Sequence, residues 1–179
     1  MLRTGLILLV TLTAALGAET LAIQLRDGKK RTVTPLRFDD DGLTVKYGAD
    51  EVVYAWEDLK PASAFRARDS LTPYDDGSAR LGLAEFALRF DLFESAQAEY
   101  EVAQALGALD EAAYEKRMAS LKKTELRYYK TRIDRLVKRK ADPRETLEMI
   151  KRFKERYPGD PAVAAYDAQV DALVEKLAK

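Results

Sequence analysis

Asp39, Asp40 and Asp41 form the densest group of proton-moving side chains in this chain of 179 residues, and no complementary chemistry stands beside them. The chain has no His and no Cys. Without His it lacks the one side chain that titrates near neutrality, the base of Ser-His and Cys-His nucleophiles, and the usual zinc ligand. Without Cys it can form no disulfide, thiolate nucleophile, cysteine metal site or cysteine-linked lipid. The three aspartates precede Gly42 in a turn, where Asp is favoured for backbone reasons. No catalytic residue, metal ligand or cofactor follows from these residues, and the expected activity is non-enzymatic.

The second chemistry on offer is electrostatic. Lys plus Arg and Asp plus Glu number 30 each, so the formal charge is zero, yet the charges are sorted along the chain. Residues 19–114 hold 11 basic against 19 acidic side chains, whereas residues 115–156 hold 16 against 7. The basic block coincides with 110–140, a stretch containing neither Gly nor Pro. As a helix it would be about 45 Å long. Its apolar stripe is Tyr114, Met118, Leu121, Tyr129, Ile133 and Leu136, interrupted at Glu125. Lys122, Lys123, Arg127, Lys130, Arg132, Arg135, Lys138, Arg139 and Lys140 occupy the rest. Such a surface either binds an anionic partner or simply keeps a long helix solvated.

Three segments must position these groups. Residues 1–18 contain Arg3, an apolar run over 6–16, and the small residues Ala15, Gly17 and Ala18, which is the secretory signal-peptide pattern. Cleavage is expected after Gly17 or Ala18. The run is shorter than the ~20 residues that span a membrane. The expected location is periplasmic or secreted.

Residues 19–72 read as a small β module. Leu21, Ile23 and Leu25 alternate ahead of Asp27-Gly28. Leu36 and Phe38 precede Asp41-Gly42, and Leu43, Val45 and Tyr47 follow it. A fourth strand is expected in "EVVYAWEDL", while 62–71 is open between a fifth strand and a helix. Asp27, Gly28 and Lys29, then Asp41, Gly42 and Val45, then Trp56, Asp58, Leu59, Lys60 and Pro61 carry a resemblance to the small barrels of the Src-homology-3-like and Sm-like kind. The resemblance implies a barrel of four to five strands. Trp56, the single Trp, either seals that barrel or serves as a stacking platform for a ligand.

Beyond "PYDDG" at 73–77 the periodicity shifts to that of helices, so 73–179 reads as a helical module. Helices are expected over 78–90, from a capping box at Asp91 and Glu94 to near Gly107, and from a second box at Asp142 and Glu145. A final helix starts at Asp160-Pro161 with Val163, Tyr166, Val170, Leu173, Val174 and Leu177 on one face. Counted from Gly77, Ala84, Ala96, Tyr100 and Ala103 fall at the eighth, twentieth, twenty-fourth and twenty-seventh positions. This resembles the tetratricopeptide repeat, with Arg80, Ala87 and Ala108 standing where Trp, Tyr and Pro are usual. A second such unit has Thr146, Ile150 and Phe153 at its small, aromatic and small positions, and Asp134 where a small residue is usual. The units start fifty residues apart, at 77 and 127, against about 34 in a regular array.

The expected fold is therefore α+β: a small N-terminal β barrel followed by a tetratricopeptide-like module with one long basic helix. The repeat resemblance implies an exported scaffold that holds protein partners or pairs with itself, with Glu85 and Arg89 on its ligand-facing side. Arg127, Lys130 and Arg135 are the candidate contacts on the basic helix. The other reading is a binder of cell-wall or other anionic envelope polymer. Export disfavours nucleic acid, and no integral membrane segment is expected after cleavage.

Overall fold

The computed structural model describes residues 20–177, so the signal-peptide reading lies outside the described residues. The fold is α+β, and the chain divides into two compact units between Thr72 and Pro73.

The first unit is a four-stranded antiparallel meander, β1 (Leu21–Gln24), β2 (Lys30–Phe38), β3 (Gly42–Tyr47) and β4 (Asp50–Ala55), each strand paired with the next. The sheet is open. A single bridge joins Leu25 to Leu59, flanked by Arg26 N–H donating to Asp58 C=O and Lys60 N–H to Gln24 C=O, both at 2.8 Å. The undecided stretch 62–71 is mostly helix: α1 (Pro61–Asp69) starts with Pro at its first position and is tied to β1 by Gln24 N–H donating to Ser63 Oγ. Ile23, Val33, Leu43, Val45, Trp56, Leu59, Ala64 and Ala67 make the core.

Two details of this sheet depart from simple alternation. Pro35 faces Val45 and Arg37 faces Thr44, so Leu36 is the extra residue of a bulge and is partly exposed, not paired inward with Phe38. The two Asp-Gly turns also use glycine differently. Gly28 has φ +91°, whereas Gly42 has no such φ and is needed for space, since a Cβ there would stand 2.5 Å from Tyr54 O. Asp39 accounts for the acidic run, its Oδ1 accepting from the Asp41 and Gly42 N–H groups at 2.9 Å.

The second unit contains α2 (Gly77–Arg89), α3 (Phe93–Ala105), α4 (Glu111–Lys138), α5 (Pro143–Arg156), the short α6 (Pro161–Ala164) and α7 (Asp167–Leu177). Asp76 caps α2 by accepting from Ser78 and Ala79 N–H. Gly77 is required because a Cβ there would lie 2.8 Å from Ala108 Cβ, where the chain leaving α3 returns to the start of α2. Ala84, Ala96, Tyr100 and Ala103 are all buried within this hairpin. Arg80 is buried too, paired with Glu99 at 3.3 Å and lying over the Tyr74 ring.

The connection from α2 to α3 is tighter than a capping box allows. Asp91 is not the cap of α3; it has φ +58° and ends α2, with Leu92 N–H donating to Ala87 C=O. Leu92 is the N-cap of α3 and makes no side-chain cap bond. At α5, Asp142 caps as expected, but Glu145 turns to Arg139 at 2.8 Å and leaves the box unclosed.

Ile133, Ile150, Phe153, Val163 and Tyr166 form a hydrophobic cluster in the second unit, with Tyr129 stacked on Phe153 at 4.9 Å between ring centroids. Thr146 is buried beside it, and Asp134 accepts from the Tyr166 O–H at 3.4 Å. The expected final helix is broken after Ala164, and Val174 and Leu177 are exposed. Burial, together with the Asp134 carboxylate, pushes the Tyr166 phenol up to about 12. In the unfolded chain a tyrosine ionises near pH 10. Between pH 10 and 12 the unfolded state therefore binds fewer protons than the folded one, and stability falls as pH rises through that window. Urea midpoints of the second unit are expected to drop from pH 9 to pH 11.5, and a constant midpoint would contradict this assignment.

Candidate partner-binding site

The long helix α4 is capped by Asp110, which accepts from Ala113 N–H at 2.7 Å, and ends where Lys140 takes φ +50°. Over its 28 residues the buried side chains are Leu121, Glu125, Ile133 and Leu136. The opposite requirement, keeping the cations in water, turns the arginines outward and concentrates them along one side.

Along the C-terminal half of α4 an open cleft of about 360 Å³ is lined by Asp91 from the α2–α3 turn and by Arg127, Tyr128, Thr131, Arg132 and Arg135. A second cleft of about 550 Å³ continues it through the shared Thr131 and Arg135 to Asp134, Lys138 and Arg139. Other cations are already paired: Arg117 and Lys122 of α4 with Glu85 and Asp160, and Arg139 just past its end with Glu145. Among the described residues, no carboxylate forms an ion pair with Arg127, Arg132, Arg135 or Lys138. Partial desolvation raises the Asp91 carboxyl, against the pull of Arg132, although the residue is exposed.

The candidate residues separate into two groups. Arg127 and Arg135 share the first cleft, and Lys130 is exposed on α4 outside it. Glu85 and Arg89 are exposed on α2 and do not line the cleft. Glu85 is engaged within the unit, accepting from Tyr100 O–H at 2.9 Å and pairing with Arg117. Arg89 lies over the Phe86 and Phe90 rings.

Glu125, which reads in sequence as an interruption of an apolar stripe, is the centre of a second arrangement. It is 2 % exposed. It accepts from Arg156 Nε at 3.1 Å and Tyr157 O–H at 2.5 Å, and Arg156 Nη2 also donates to Gln97 at 2.8 Å. Burial and the bond to Glu125 push the Tyr157 phenol up, so it stays a donor. The signal available in sequence was only a carboxylate at a core position of the helix. Every group in this arrangement has a partner, and its chemistry is to clamp α3, α4 and α5 together.

Trp56 is fully buried, and its indole N–H donates to Asp39 C=O at 2.9 Å, so it offers no stacking face. Among the described residues no cluster of carboxylates is arranged to hold a metal ion, and no helix is long and apolar enough to cross a membrane. No family model matches this chain, and neither the characterised proteins nor the solved structures compared with it are significantly similar.

Proposed function

We propose that this is an exported, non-enzymatic interaction protein whose helical unit holds an acidic segment of a protein partner. The observation that carries the reading is the pair of joined clefts along α4, where Arg127, Arg132 and Arg135 are exposed without a carboxylate partner. Guanidinium groups present planar donor forks that fit carboxylates bidentately, and they lose less hydration than lysine on binding. The buried Ala84, Ala96, Tyr100 and Ala103 of the first hairpin, and Thr146, Ile150 and Phe153 of the second, support a divergent tetratricopeptide-like module. The bridge between Leu25 and Leu59 supports a Src-homology-3-like barrel with that segment as its short fifth strand.

The test is binding to poly-L-glutamate by the full mature chain and by the double variant Arg127→Gln/Arg135→Gln. The wild type is expected to bind at low salt and to release at ~0.5 M salt, where the screening length falls to a few ångströms. The double variant is expected to keep its circular dichroism and to bind at least tenfold more weakly. Equal binding by the two proteins would remove α4 from the interaction.

A further inference from the structure

The first cleft is not purely basic. Asp91 lines it together with the arginines, and although Arg132 pulls on its carboxylate at longer range, among the described residues no cation forms an ion pair with that carboxylate and no donor hydrogen-bonds to it. The backbone there needs a left-handed residue, φ +58°, which Gly or Asn supplies without adding a charge. The other carboxylate in the groove, Asp134, already accepts from Tyr166. Among the described residues, Asp91 thus makes no direct ion pair and accepts no hydrogen bond, and the guanidinium groups beside it have no carboxylate in direct contact.

We infer that the α4 clefts recognise a mixed-charge peptide segment, its carboxylates on Arg127, Arg132 and Arg135 and one lysine or arginine among them on Asp91. The inference rests on the acidic-partner reading above and narrows it. A uniform polyanion would place a negative group against Asp91 at the cost of like-charge repulsion, whereas a segment with one cation satisfies both signs. The length is consistent with a short peptide. Residues 127–139 extend about 18 Å along the helix axis, which an extended segment of five or six residues matches at about 3.3 Å each. The lining offers Tyr128 as its single aromatic and no aliphatic anchor, so charge rather than an apolar hot spot selects the ligand.

The experiment is calorimetric titration with capped hexapeptides: one of six glutamates, and six in which a single lysine replaces each glutamate in turn. In the wild type, one lysine position is expected to bind about fivefold tighter than the all-glutamate peptide, despite its lower negative charge. Asp91→Asn, which also tolerates the left-handed backbone, is expected to abolish that preference and to bind the all-glutamate peptide more tightly than the wild type does. Asp91→Gly, which relaxes the backbone, guards against a folding artefact and is expected to behave as Asp91→Asn. If no lysine position gains, or if the gain persists in both variants, the role of Asp91 is overturned. If linear polyphosphate outcompetes the best peptide equally in wild type and Asp91→Asn, the ligand is a uniform polyanion and the inference is overturned as well. Failure of Arg127→Gln/Arg135→Gln to weaken any peptide sinks the acidic-partner reading itself, a result separable from failure at Asp91.

Discussion

Replacing Trp56 by alanine is expected to unfold the first unit. The ring is fully buried, lies 6.4 Å from the Phe38 ring between centroids, and ties the β2–β3 turn to the end of β4 through its bond to Asp39. Truncating a buried Trp costs about 3–5 kcal/mol, and here it also strips the Asp39 carbonyl of its donor. A unit of this size has a total stability of only about 3–8 kcal/mol. The loss is therefore comparable with everything that holds the sheet together. Trp56→Phe keeps most of the packing and removes the hydrogen bond, with an expected cost of about 1–2 kcal/mol. Amide hydrogen exchange across β2 and β3 measures both, because the alanine variant has no tryptophan to report fluorescence. Retained protection in Trp56→Ala would mean that the sheet does not depend on this ring.

The second large effect is expected at the clamp around Glu125, and its direction is set by which charge is the deeper. Arg156 is about a quarter exposed (27 %) while Glu125 is at 2 %. Arg156→Met leaves the buried carboxylate with Tyr157 as its remaining donor, an expected loss of about 3 kcal/mol. Glu125→Gln keeps an acceptor for Tyr157 and leaves Arg156 free to turn to water, an expected loss of about 1–2 kcal/mol. Combining them should cost less than the sum, since each removes the same interaction. Urea unfolding of the three variants decides the matter, and Glu125→Gln proving as harmful as Arg156→Met would reverse the assignment of the buried partner. The clamp lies on α3, α4 and α5 through Gln97, Glu125 and Arg156, so its loss should loosen α4.

The helical unit was legible where local chemistry decides. The expected helix over 78–90 lies within one residue of α2 at each end, and the end of α3 ahead of Gly107 and the span of α4 follow from breakers and a period near 3.6. Ala84, Ala96, Tyr100 and Ala103 were legible as helix-contact residues because close helix approach requires small side chains at fixed spacing. Leu36 breaks the simple alternation with Phe38 because a bulge there shifts the register by one residue, which local periodicity does not show. Asp91 was misread because the same residue type suits both an N-cap and a left-handed helix end, and the tightness of the 90–92 connection selects the second.

Sequence alone determined the absence of histidine and cysteine chemistry, the sorting of charge into an acidic and a basic stretch, and the succession of strands then helices, because each follows from residue type and periodicity within a few positions. Tertiary structure decided the rest. It paired Glu125 with Arg156 and Tyr157, 31 and 32 residues away. It drew Glu85 into a contact with Arg117, and it left Arg127, Arg132 and Arg135 lining one cleft with Asp91, none of them in a direct ion pair among the described residues. Whether a charge is spent inside the fold or left for a partner depends on what packing brings within ion-pair distance, and that distance is not written in the local sequence.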